Sequence, residues 1–259
     1  MRFPKDTPVR IVLLGCGGTG GYIVRDLSRL LYALERPIRL ILADADKVEE
    51  KNLIRQNFTP ADLEENKARI LAERYASAFG VSVTYLPRYV ESLQELRSIA
   101  APQAVAYTDG EGERRWTQEQ VLLIGAVDNF KTRQLCDRYF RQSSDLIYID
   151  AGNGEYIGQA VCGVKRGGKT VYPPLSKVHP DILTMEDQFP SELSCAEAAV
   201  SAPQAVITNL FSAVAVLDML YQLLVEGNLT IPEVNFSSKS ICIQPNLKYR
   251  ARSAARSGI

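Results

Sequence analysis

Short, mostly apolar runs punctuate the first 150 residues, at 11–14, 40–43, 81–86, 121–127 and 146–150, uninterrupted except at 81–86 and at the closing Asp150. Runs of this length without polar alternation predict strands buried on both faces, as in a parallel sheet. Behind the first run, Ile23, Val24, Leu27, Leu30, Leu31 and Leu34 recur at helical spacing and predict a helix with one apolar face. A second helix is predicted from Thr59 and Pro60 to about Phe79, because a capping hydroxyl, a first-turn proline and early acids precede the periodic positions. Leu63, Ile70, Leu71, Tyr75 and Phe79 point inward in that helix, Gly80 ends it, and Lys67 falls on the side away from Ile70 and Leu71. A third helix passes through Cys136 and Phe140. Residues 100–120 are polar and predict a surface excursion.

Beyond Gly152 the pattern changes. Residues 156–164 and 170–172 flank Lys165-Arg166-Gly167-Gly168, a predicted hairpin. Residues 173–202 show no strong period and predict a long loop crossing the molecule. Residues 204–225 form the most apolar helix, whose apolar face is wider than one sheet needs, so it is a core or dimer helix. Residues 240–245 close the fold as a last strand. Strands alternating with helices predict a Rossmann-like, doubly wound, mostly parallel α/β sheet with helices on both faces. A C-terminal antiparallel part and the crossover loop extend it. One domain is expected over 1–259, with a nucleotide-binding half at 9–152, the loop, dimer helix and final strands at 153–247, and a basic tail at 248–259.

Composition adds exclusions. Thirty basic and thirty acidic side chains cancel, which gives no reason to expect nucleic acid or anionic lipid as a partner. Five scattered cysteines without a Cys-x-x-Cys pair argue against zinc and against a disulfide framework. No leader and no apolar run long enough for a bilayer is read, so the cytoplasm is the expected address and no membrane is expected.

The chemistry begins where the first strand runs into Gly15-x-Gly17-Gly18-x-Gly20. A glycine turn between strand and helix presents bare N–H groups and the positive end of a helix, a phosphate site in which a Cβ would hold the phosphate away. Asp44, about 24 residues beyond Gly20, ends the second strand, where a carboxylate can accept both hydroxyls of a ribose. That suits NAD and ATP equally. Asp128 and Asn129 end the fourth apolar run and should face the same crevice. Residues 47–58 are polar, aperiodic and long for a connection, as functional loops are.

This ordered set, with Asp46, Asn52-x-x-Arg55-Gln56 and Lys67, resembles the ThiF/MoeB/E1-type adenylyltransferases over residues 9–245. Residues 194–203, which include Cys195, extend the likeness, and within the family it is most similar to the ThiF-like members of bacterial PRTRC gene systems. The resemblance implies adenylation, with ATP and Mg²⁺, of the C-terminal carboxylate of a small ubiquitin-like or sulfur-carrier protein ending in Gly-Gly. Arg55 and Lys67 would bind the phosphates, Asp128 would hold Mg²⁺, and Asn52 and Gln56 would bond phosphate or the attacking carboxylate. Asp44 would take the ribose, and Asn129 would complete the nucleotide site. Cys195 would be a thioester acceptor in some relatives and dispensable in others. The resemblance also implies a homodimer. Relatives place an arginine from the N-terminal arm in the partner's site, and here only Arg2 or Arg10 is available. The paired zinc cysteines of many relatives are absent. Cys16 is expected to be a packing residue and His179, the only histidine, a surface one. Three other readings remain open: an NAD-dependent oxidoreductase on the same glycine turn, an inactive relative acting as a scaffold, and a related adenylase acting on a nucleic-acid-borne or peptide carboxylate.

Overall fold

Residues 3, 7–34, 37–108, 111–193 and 205–249 are described in the computed structural model. Strand β1 (Val9–Leu14) is buried along its whole length and feeds the glycine turn and helix α1 (Gly18–Tyr32). Strand β2 (Ile38–Ala43) returns parallel to β1. Helix α2 (Lys67–Phe79) and β3 (Ser82–Leu86) add a second crossover, and β3 is parallel to β2. Helix α3 (Leu93–Ala100) leads to a hairpin of β4 (Ala104–Thr108) and β5 (Arg114–Gln118). Strand β6 (Gln120–Gly125) then enters on the other side of β1. Helix α4 (Phe130–Gln142) and β7 (Leu146–Asn153) complete the parallel part.

Strand β8 (Ile157–Arg166) turns back antiparallel on β7 and makes a hairpin with β9 (Lys169–Tyr172) through Gly167 and Gly168. After the short helix α5 (Leu175–Val178) and the crossover segment comes α6 (Val206–Tyr221), which continues as a π-turn over Gln222–Glu226. Strands β10 (Glu233–Ser237) and β11 (Cys242–Pro245) finish the edge in antiparallel pairing. Among the described residues the main sheet runs β11-β10-β8-β7-β6-β1-β2-β3, with β9 paired to β8. Apolar clusters fill both faces: α1, α2 and α6 supply Leu27, Leu71 and Val216 to one, and α3 and α4 supply Leu96 and Phe140 to the other. The expected mixed, mostly parallel architecture is therefore the observed one.

Local expectations needed correction. Helix α2 begins at Lys67, not at Thr59, and Asn66 caps it by accepting from the Arg69 N–H at 2.9 Å. The Thr59-Pro60 signal starts a separate 3₁₀ turn, Pro60–Asp62, in which Asp62 accepts from the Thr59 N–H at 2.7 Å. Leu63 then leaves helical geometry with ψ 141°. Residues 104–118 form a hairpin detached from the main sheet, and β10 went unanticipated because it is short and polar at alternate positions. The segment Val206–Glu226 is, by length and composition, long and apolar enough to cross a membrane, contrary to the expectation. In this fold half of that window is buried, and α6 packs on α1, β7 and β8.

Arg10 is not available to a partner subunit. It is 3% exposed, ion-paired with Glu119, and donates to the Ile99 carbonyl at 2.8 Å. Glu119 also accepts from Arg39 at 2.8 Å and from the Gln103 N–H at 3.1 Å. Removing one member of a buried pair leaves the other charge uncompensated. Glu119→Ala should therefore cost about 3–5 kcal/mol in urea unfolding. Glu73→Ala, which breaks the exposed Arg69–Glu73 pair at 3.4 Å, should change stability by less than about 0.5 kcal/mol.

Candidate functional site

The carboxyl ends of β1, β2, β6 and β7 open into one cleft of about 680 Å³, flanked by residues from the stretch 175–193. Its position is the topological one for an open α/β sheet, where strand ends and helix N-termini converge. Gly15, Gly17 and Gly18 lie on its wall, and Gly20 does not. Gly15 has φ +89° and a Cβ there would stand 2.5 Å from the Ala126 carbonyl oxygen. A Cβ on Gly18 would meet Asn209 Nδ2 at 2.2 Å, and one on Gly20 would meet the Gly15 carbonyl oxygen at 1.9 Å. Protein packing thus demands three of these glycines. Only Gly17, whose nearest neighbour would be Gln56 at 3.7 Å, leaves open backbone for a ligand.

Asp44 is buried at the end of β2. Its carboxylate accepts from the Cys16 N–H at 2.6 Å and from the Asp46 N–H at 2.8 Å, which leaves further lone pairs for hydroxyls. Burial, followed by the like charge of Asp46, raises its pKa to about 6 against the pull of Lys67 and these two N–H groups. Asp46 also resists its own burial, but the Lys67 charge and hydrogen bonds from Tyr89 and Lys67 hold it below the usual carboxylate range. Lys67 is 5% exposed and its Nζ lies 2.9 Å from Asp46. The lysine expected on the outer side of its helix is instead buried against the cleft, because α2 starts at this residue.

The polar loop after Asp46 divides its labour. Asn52 is buried behind the wall, where its Oδ1 accepts from the Glu49 N–H at 3.0 Å. Its carbonyl accepts from the Gln56 N–H at 2.8 Å and from the Arg55 N–H at 3.2 Å. Asn52 therefore builds the turn that presents Arg55 and Gln56 to the cleft, rather than lining it. Gln56 is buried, with Oε1 unpartnered. Across the cleft, Asn129 caps α4 by accepting from the Thr132 N–H at 2.8 Å, and Asp128 beside it is exposed at the mouth.

Several wall residues escaped the sequence reading. Arg133 lies in a buried pair with Asp150, at 3.0 and 2.5 Å, and crosses the face of Gly152. Asn153 joins Thr19 at 3.0 Å to Asn209 at 3.1 Å, tying the glycine turn to α6. Neither arginine nor asparagine had a motif partner to mark it. His179 is on the cleft wall rather than the outer surface, with Nε2 3.5 Å from Glu233. Cys16 is buried, as expected of a packing residue. Arg2 and Cys195 lie outside the described residues.

A model of the ThiF family matches residues 7–250. The chain belongs to the ThiF family. Comparison with curated proteins finds no match. Among solved structures, E. coli MccB with selenomethionyl MccA is similar at TM-score 0.66 and 16% identity, covering 97% of this chain and 66% of that one. E. coli MccB with ATP gives 0.63 and 17%, covering 98% and 67%. Selenomethionyl PaaA gives 0.61 and 14%, covering 92% and 63%. The MccB complex with succinimide is spanned over 64% of its own length. These likenesses confirm the fold.

Two outcomes follow from the geometry. Gly20→Ala should lower stability by about 1–3 kcal/mol or more through overpacking, whereas Gly17→Ala should keep the melting temperature and alter only ligand binding. Unfolded Asp44 releases its proton near 3.8 but folded Asp44 holds it to about 6. Over that window the native state binds more protons, so the contribution of Asp44 to stability falls as pH rises from 4 to 6. Urea unfolding across pH 4–7 should show this limb in the wild type and lack it in Asp44→Asn.

Proposed function

We propose that the protein adenylates, with ATP, the C-terminal carboxylate of a peptide or small protein. The observation that carries this is the convergence of Arg55, Lys67 and Asp128 with the Gly17 backbone on one cleft. An ionised carboxylate needs no general base to attack the α-phosphate. Its oxygen forms the new P–O bond, the α–β bridging P–O bond breaks, and pyrophosphate leaves with the electron pair. Charge on the triphosphate must be neutralised for this to proceed. Arg55 can bind phosphate in a fork and Lys67 as a point charge. Asp44 takes the ribose hydroxyls, and Gln56 offers its amide beside Gly17.

Among the described residues no group of three or more His, Cys, Asp or Glu could hold a metal ion by itself. One exposed carboxylate, Asp128, fits the way Mg²⁺ is commonly held, by one or two protein oxygens together with substrate phosphates. When bound there, that ion supplies further neutralisation of the triphosphate.

Support from relatives is of the same kind: MccB has been crystallised with ATP and with MccA. The finer reading is a cytoplasmic homodimer acting on a ubiquitin-like or sulfur-carrier protein ending in Gly-Gly, with Cys195 as thioester acceptor. The dimer face would be α6, on which Ile207, Val214 and Tyr221 are exposed. Arg55→Ala and Asp128→Ala should each lower carrier-dependent ATP–pyrophosphate exchange by about 10²–10³-fold. Undiminished exchange in both ends the reading, and tight NAD binding without ATP binding in calorimetry replaces it with an oxidoreductase. Cys195→Ala should keep exchange and lose any thiol-sensitive adduct.

A further inference from the structure

Two buried carboxylates lie in one row across the sheet. Asp150 on β7 pairs with Val161 on β8, and Val161 pairs with Glu233 on β10. Paired residues share a face, so the two acids point the same way, two strand spacings or about 10 Å apart. Each stands behind a basic side chain on the cleft wall, Asp150 behind Arg133 and Glu233 behind His179. The first pair is closed by two hydrogen bonds.

The second pair is open. Nε2 of His179 lies 3.5 Å from Oε1 of Glu233, and neither Nε2 nor Oε2 has a hydrogen-bond partner. Glu233 is 2% exposed, and His179 is the basic group within 4.0 Å of it among the described residues. A carboxylate facing Nε2 attracts a proton on that nitrogen and repels a lone pair, which selects the tautomer. In the neutral imidazole, Nδ1 then carries the lone pair. Nε2 is the buried nitrogen of a side chain that is 31% accessible, and His179 lines the cleft.

The position is remote from the ribose carboxylate. Between β2, which Asp44 directly follows, and β10 lie β1, β6, β7 and β8, five spacings or about 24 Å. Ile157, Gln159 and Ile182 line the same end of the cleft, so an extended backbone entering there leaves water and needs partners for its amides.

We propose that His179, oriented by Glu233, binds the acceptor's tail, its Nδ1 accepting a backbone N–H several residues upstream of the reacting carboxylate. This rests on the adenylation reading and assigns the peptide end of the same cleft. The single histidine makes the test direct. In full-length protein labelled with ¹⁵N-histidine, the imidazole should be the Nε2–H tautomer in the wild type and lose that preference in Glu233→Gln. A non-hydrolysable ATP analogue alone should leave the Nδ1 resonance in place.

In ATP–pyrophosphate exchange driven by peptides with randomised C-terminal tripeptides, His179→Ala should raise the peptide KM about tenfold, the worth of one hydrogen bond, with the ATP KM unchanged. His179→Asn, which keeps an acceptor near the Nδ1 position, should recover most of the loss, which a folding defect would not. An Nδ1–H tautomer, a shift with the ATP analogue alone, or an unchanged peptide KM in His179→Ala overturns the proposal alone. A wild type that binds NAD and not ATP in calorimetry overturns the adenylation reading as well.

Discussion

The Asp44 carboxylate, accepting from Cys16 at 2.6 Å and Asp46 at 2.8 Å, fastens the glycine turn to the strand beside it. Strand ends β1, β2, β3 and β6 are locked at the same level, because Gly15 donates to Ala43, Asp44 to Leu86 and Ala126 to Leu14. With Gly20 packed on the Gly15 carbonyl, the turn has one conformation to adopt. Asp46, half-exposed, stands next to buried Asp44, and the repulsion between the two acids calls for a cation. Lys67 meets that requirement, and it is where α2 begins. The glycine-turn end of the cleft is thus arranged by the fold itself.

The opposite end rests on the same principle. Buried charge persists where it is paired and hydrogen-bonded. Arg133 and Asp150 satisfy one another, and Asp150 also accepts from Tyr148 at 2.8 Å. Burial works against the Arg133 charge, yet Asp150 raises its pKa above the ordinary arginine value. Glu233 and His179 are the incomplete version of that arrangement, which is why they attract a functional reading rather than a structural one.

Much of this was legible in the chain. Apolar runs at 11–14, 40–43 and 121–127 are buried parallel strands because both faces of the sheet are covered, and periodicity reports that directly. Asp44, Arg55, Gln56, Lys67 and Asp128 do reach one cleft. The misreadings share a cause: local signals do not reveal what a side chain meets across the fold. The Thr59 cap was real but governs a turn, Asn52 supports its neighbours from behind, and Gly20 answers to Gly15 rather than to a ligand. Arg133 and His179 had no nearby partner in sequence, since Asp150 and Glu233 come from later strands.

The Lys67–Asp46 contact has one more consequence. The lysine has a resident anion in Asp46, so on the proposed reading a phosphate would enter by substitution and not by filling an empty charge. The dehydration of Lys67 is met during folding, and what the ligand experiences is the difference between its own anion and a carboxylate. A site of this kind is an internal ion exchanger, and its selectivity comes from competition. On the proposed adenylation reading, a lone inorganic anion would have to displace Asp46 by charge alone, while a nucleotide would bring a ribose contact at Asp44 and the fork of Arg55 to the same exchange.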